Sequence, residues 1–182
     1  MKYIIIFFII AFVIPCVASE WDEGENLIVK GDLETDNWDI KRKESEHLTT
    51  TIWISKEQRN KDIFVITVFK SPEGKVEEFR KYKEAPSKKQ CSKVKYEDLD
   101  YVHNKLPAIF WYTDCTLKND NILKMVHLAI KGNYSFYHLR KIWKYDVTES
   151  EVNEWKNRIG KAYVCDTRSE DNMCPEGFTE EE

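Results

Sequence analysis

Leu123-Lys124-Met125-Val126-His127-Leu128-Ala129-Ile130-Lys131-Gly132-Asn133-Tyr134-Ser135-Phe136-Tyr137-His138-Leu139-Arg140-Lys141-Ile142-Trp143-Lys144 is the stretch that decides the fold. Two runs rich in strand-forming residues, 123–131 and 134–144, flank Gly132-Asn133, a two-residue turn signal, and predict a β-hairpin. A tight turn there sets Lys131 opposite Tyr134, Leu128 opposite Tyr137 and His127 opposite His138. Side chains alternate across a strand, so Val126, Leu128, Ile130, Tyr137 and Leu139 share an apolar face suited to a core. Met125, His127, Ala129, Phe136, His138 and Arg140 share the other face, which is mixed.

Outward from the hairpin, further strands are legible. Residues 63–69 form a continuous β-branched and aromatic run, the mark of a buried central strand, and 49–55 alternate. Residues 108–113 read as an aromatic strand, 26–30 and 161–166 as short ones. Thr35-Asp36-Asn37 starts a short helix, and Ser71-Pro72-Glu73-Gly74 is a turn. Val76, Phe79 and Tyr82 recur at three-residue spacing and predict a helix that Ala85-Pro86-Ser87 ends. Residues 94–104 read as a further helical turn. Thr148 and Glu151 form a capping box for a helix carrying Val152, Trp155 and Ile159 on one side, with Gly160 as its stop. The expected class is α+β: a single domain, mainly an antiparallel β-sheet with a few short helices packed on it.

The chain opens with Met1-Lys2-Tyr3, an apolar run over 4–14 and then Pro15-Cys16-Val17-Ala18, the pattern of a secretory signal peptide. Spanning a bilayer takes about 20 residues, more than this run supplies. The expected organisation is a leader at 1–18, a secreted or periplasmic domain at 19–176 and an acidic flexible tail at 177–182. Lipid anchoring through Cys16 is disfavoured by Pro15, which stands where a small residue is wanted. Removal of the leader leaves Cys91, Cys115, Cys165 and Cys174, and an even count in an exported chain predicts disulfides. Of the three possible pairings, Cys91–Cys115 with Cys165–Cys174 is preferred, because each pair closes a local loop.

The formal net charge of −4 becomes −5 once Lys2 leaves with the leader, which speaks against nonspecific nucleic-acid binding. Charge is unevenly spread. Residues 80–95 hold seven bases (Arg80, Lys81, Lys83, Lys88, Lys89, Lys93 and Lys95) against Glu84 alone, between acidic ends. Such a run is either a solvated segment or a contact for an anionic partner. Arg140, Lys141 and Lys144 extend the hairpin as a second basic patch.

A second-half pattern adds a resemblance. Asn37-Trp38, Cys91, the 108–115 strand ending in cysteine, Ala129-Ile130-Lys131-Gly132-Asn133 running into Phe136-Tyr137, Trp155, and Val164-Cys165-Asp166-Thr167-Arg168 followed by Cys174-Pro175 carry it over residues 26–176. Together they resemble a group of small exported proteins of Gram-negative bacteria without an assigned activity. The resemblance implies export, for some members by the type II secretion route. It further implies the α/β sandwich of the photosystem-II extrinsic protein (PsbP) type, and it transfers no catalytic residue.

Chemistry-bearing motifs are sparse. The chain has no GxSxG, no HExxH and no phosphate-cradling glycine loop. His127 and His138 across the hairpin suit either a half-exposed polar face, an anion contact or a shared transition metal, but no third ligand is in view. The expectation is a binding protein acting outside the cell, an effector without cofactor or metal. Its ligand would be anionic, such as a phosphorylated lipid head group, or its partner a host protein. The candidate contacts are His127, His138, Arg140, Lys144, Lys88 and Lys89. The alternatives are a small hydrolase centred on a histidine, with His103 as a further candidate base, and a periplasmic accessory protein.

Overall fold

The computed structural model describes residues 24–30, 35–71, 73–102 and 105–175. The expected leader, its cleavage site, His103 and the tail at 177–182 lie outside the described residues. Among the described residues nine strands and two α-helices follow in the order β1 (Glu25–Ile28), β2 (Trp38–Glu44), β3 (Leu48–Ser55), β4 (Asp62–Phe69), α1 (Val76–Gln90), β5 (Cys91–Leu99), β6 (Ala108–Leu117), β7 (Ile122–Lys131), β8 (Phe136–Trp143), α2 (Glu149–Gly160) and β9 (Tyr163–Asp166), with short 3-10 turns at Thr35–Asn37 and Arg59–Lys61. Seven strands make one antiparallel sheet, ordered β2-β3-β4-β8-β7-β6-β5, while β1 and β9 pair separately. The architecture is mainly antiparallel sheet with two helices and two disulfides, Cys91–Cys115 and Cys165–Cys174.

The hairpin β7–β8 lies at the centre of the large sheet, but its register differs from the expected one. Leu128 faces Leu139, Ala129 faces His138, and His127 faces Arg140 rather than His138. The loop centres on Asn133-Tyr134, closed by the Gly132 N–H donating to Ser135 O at 2.9 Å. The cause is Glu25 of β1. Its carboxylate accepts from the N–H groups of Asn133, Tyr134 (3.2 Å) and Ser135 (3.1 Å), and from the Tyr137 hydroxyl (3.3 Å). A Cβ on Gly132 would collide with that carboxylate. The shift moves each partner by two residues, and an even shift keeps every side chain on its face. The apolar and mixed faces are therefore those read from alternation.

Each face carries a helix. On one, Phe64, Phe110, Val126, Leu128, Ile130, Tyr137, Leu139 and Trp143 pack with Val152, Trp155 and Ile159 of α2. On the other, Trp111, Ala129 and Phe136 pack with Val76 and Phe79 of α1. Both edge strands, Trp38-Asp-Ile-Lys-Arg-Lys-Glu44 and Cys91-Ser-Lys-Val-Lys-Tyr-Glu-Asp-Leu99, are studded with charge, which discourages pairing with another chain. That composition also explains two differences from expectation. Neither edge shows a clean apolar alternation, so β2 leaves no strand signal, and 94–104 reads as a helical turn although it begins within β5.

Helix α1 runs past Ala85-Pro86-Ser87 to Gln90, with Pro86 inside it. An interior proline costs about 3 kcal/mol relative to alanine. Tertiary anchors offset it: Val76 and Phe79 hold the start, Ser87 is buried, and Cys91 follows the last turn into its disulfide. The inward face repeats as Val76, Arg80, Glu84 and Ser87, and Tyr82 is 72% exposed, because a strict three-residue spacing drifts away from a 3.6-residue helical period. At α2, Thr148 Oγ1 accepts from the Glu151 N–H at 3.3 Å as the capping box requires. The Glu151 side chain, however, accepts from Trp143 Nε1 (2.9 Å) and the Tyr145 hydroxyl (3.2 Å). Gly160 closes α2 as its last helical residue, packed against Phe110.

The disulfides span 24 and 9 residues of separation. Loop-closure entropy then predicts that Cys91→Ser with Cys115→Ser lowers the unfolding free energy by about 3.5 kcal/mol, and Cys165→Ser with Cys174→Ser by about 2.7 kcal/mol. Urea titrations of the two double variants check both the losses and their order.

Candidate functional site

The α1 face of the hairpin gathers the chemistry. Odd-numbered residues of β7 and even-numbered residues of β8 point to it, so Met125, His127, His138 and Arg140 lie there together. Helix α1 crosses above them. A cleft of about 550 Å³ remains between helix and sheet, and Tyr82, Lys83, Lys89, Met125, His127 and Arg140 are among its walls. Leu117, Leu123, Ala85 and Pro86 supply an apolar side. Among the described residues no Asp or Glu lines it.

Its charges are poorly neutralised. Arg140 Nε is buried and has no hydrogen-bond partner among the described residues, and burial lowers the guanidinium's hold on its proton. Burial, with Arg140 nearby, also pushes the Lys83 ammonium down. Arg80 beside them is satisfied by Glu84 at 2.6 Å and Asp98 at 2.5 Å, and its guanidinium lies 5.7 Å from the Trp111 ring.

Beneath the cleft the two histidines form a buried layer, 2% and 3% exposed. They are diagonal rather than direct cross-strand neighbours, yet His127 Nδ1 and His138 Nε2 are 3.2 Å apart with rings tilted by 7°. Trp111 stacks on His127 at 4.4 Å, and Phe79 meets His138 edge-on at 4.9 Å. One ring must donate and the other accept, which suits a neutral pair. Burial pushes both imidazoles well below the ordinary range, and Arg140 and Lys83 act on both in the same direction. Among the described residues no group of three or more His, Cys, Asp or Glu stands ready for a metal.

Of the residues expected to contact a ligand, the cleft brings together Lys89, His127 and Arg140, with His138 behind them. Lys88 is 60% exposed, pairs with Glu84 at 3.9 Å and does not line it. Lys144 is exposed at the end of β8, where its backbone N–H donates to Lys61 O. Lys83 and Tyr82 enter as lining residues not singled out from sequence. The spacing Lys83/Lys89 on a helix beside an arginine-bearing strand was the available signal, but only the crossing of α1 over β7 and β8 makes it visible. A second hollow, near the other sheet edge, mixes Asp39 with Lys41, Lys56 and Arg59 and is not uniformly cationic.

Arginine and lysine at adjacent positions on a strand point oppositely. Lys141 therefore does not extend a patch with Arg140 but enters the α2 face, where it is fully buried and bonded to Asp62.

A histidine held neutral in the fold binds fewer protons than in the unfolded chain at pH below about 6.5, so its contribution is present above that value and lost as pH falls. Stability is therefore expected to drop from pH 7 to pH 5. Replacing His127 and His138 by Gln should flatten the drop by up to about 1.4 kcal/mol per pH unit for each histidine. Urea titrations of wild type and variant across that range check the difference in slope.

No family model, no curated protein and no solved structure matches this chain.

Proposed function

We propose that this is an exported binding protein whose cleft between α1 and the β7–β8 hairpin takes an anionic, partly apolar ligand, namely a phosphorylated lipid head group. The observation that carries the reading is a cleft with Arg140, Lys83 and Lys89 in its walls and no carboxylate among the described lining residues. Arg140 offers a buried N–H without a partner, and a bidentate guanidinium suits a phosphate better than any other side chain. The apolar walls at Leu117, Leu123 and Met125 suit the glycerol and first methylenes of a lipid. Two disulfides support an oxidising compartment, in line with the leader-like start of the chain. Among the described residues no helix is long and apolar enough to cross a membrane. The resemblance to exported Gram-negative proteins favours action outside the producing cell.

The test is flotation with phosphatidylcholine vesicles carrying phosphatidylinositol monophosphate, against plain phosphatidylcholine and against inorganic phosphate in solution. Binding to the phosphoinositide vesicles is expected, and Arg140→Met should weaken it roughly tenfold or more, the loss of one charge-assisted hydrogen-bond set. Lys83→Glu with Lys89→Glu should abolish it, while Lys88→Glu should leave it intact. Equal binding by all variants would overturn the cleft assignment.

A further inference from the structure

We propose that Lys141 and Asp62 condense into an intramolecular isopeptide bond that ties β8 to β4 in the middle of the sheet. Asp62 opens β4 opposite Trp143 of β8, which places it diagonal to Lys141 on the same face. Lys141 Nζ is in direct contact with Asp62 Oδ1. The pair lies beneath α2, with Nζ 4.1 Å from the Trp155 ring, 4.6 Å from Trp38 and 5.3 Å from Trp143. Lys141 is 0% exposed and Asp62 only 7%, so little water reaches the pair.

Amide formation in water fails because the amine is protonated, the acid is ionised and water reverses the product. This site acts on all three. Burial raises the Asp62 carboxyl and lowers the Lys141 ammonium, so both partners move toward the neutral acid and free amine that react. Groups held in contact gain effective concentrations of roughly 10⁵–10⁸ M over free reactants. The product is a neutral amide, which removes two charges whose burial is otherwise costly.

A further carboxylate, Glu151, stands close enough to act electrostatically on both partners. It accepts from the Tyr145 hydroxyl at 3.2 Å and from Trp143 Nε1 at 2.9 Å. In the reaction the Nζ lone pair forms a bond to Asp62 Cγ and one Cγ–O bond breaks. That oxygen leaves as water, carrying the carboxyl proton and one proton from the amine. No electrons are exchanged, and no co-reactant is required. Glu151 acts as a positioning residue: it holds Trp143 and Tyr145 beside the pair, and its charge favours the protonated Asp62 carboxyl. The inference does not depend on the cleft, which lies on the opposite face of the sheet.

The test is the intact mass of the folded full-length product after reduction of its disulfides, referred to the amino terminus found by peptide mapping. The expected mass is lower than the sequence requires by one water, with a branched tryptic peptide joining the segments around Lys141 and Asp62 in tandem spectra. Lys141→Arg and Asp62→Ala should each restore the missing water. Asp62→Asn should lose ammonia instead and give the same product mass as wild type. Glu151→Gln, with native near-ultraviolet circular dichroism and both disulfides formed, should leave the bond largely unmade. A reduced wild-type mass equal to that of the sequence, without a branched peptide, overturns the proposal whatever the variants do.

Discussion

Strand β8 has a paired neighbour on each edge, β4 and β7, and a helix over each face, so almost everything it carries is withdrawn from water. It nevertheless carries His138, Arg140 and Lys141. Taking an ion out of water costs several kcal/mol even after relaxation, and that cost has to be met by partners or by a path to solvent. The rest of the molecule can be read as the answer to this constraint. Alternation sends His138 and Arg140 to the α1 side and Lys141 to the α2 side, so two different solutions are built back to back.

On the α1 side the answer is an opening. Helix α1 does not seal the sheet, and the basic groups around Arg140 line a cleft instead of meeting acids. His127 and His138 escape the cost by staying neutral, each satisfying a ring nitrogen of the other. On the α2 side the answer is closure. Asp62 meets Lys141, and the rings of three tryptophans enclose the Lys141 side-chain nitrogen. Glu151, set by the helix cap at Thr148, fastens Trp143 and Tyr145 around the pair. The capping glutamate thus serves the core rather than only its own helix end.

The tip of the same hairpin shows how a distant element sets register. Three backbone N–H groups of the loop converge on the Glu25 carboxylate, which arrives from β1. β1 in turn is held by β9, next to the Cys165–Cys174 bridge. An isolated Gly132-Asn133 signal favours a turn one residue earlier, and the contact with Glu25 outweighs that local preference.

Much was legible along the chain because it follows from short-range periodicity. Alternation in 123–144 separates the two faces of the central hairpin, the apolar run at 63–69 marks β4, Thr148 and Glu151 mark the start of α2, and cysteine spacing separates two local loops. These are properties of neighbours in sequence, and side-chain direction and chain entropy act on them directly. The charged edge strands, the passage of α1 through Pro86, the gathering of Lys83, Lys89, His127 and Arg140, and the meeting of Lys141 with Asp62 were decided only by tertiary structure. Each joins residues far apart in sequence, and its energy comes from burial and charge environment that exist only once the sheet is covered on both faces.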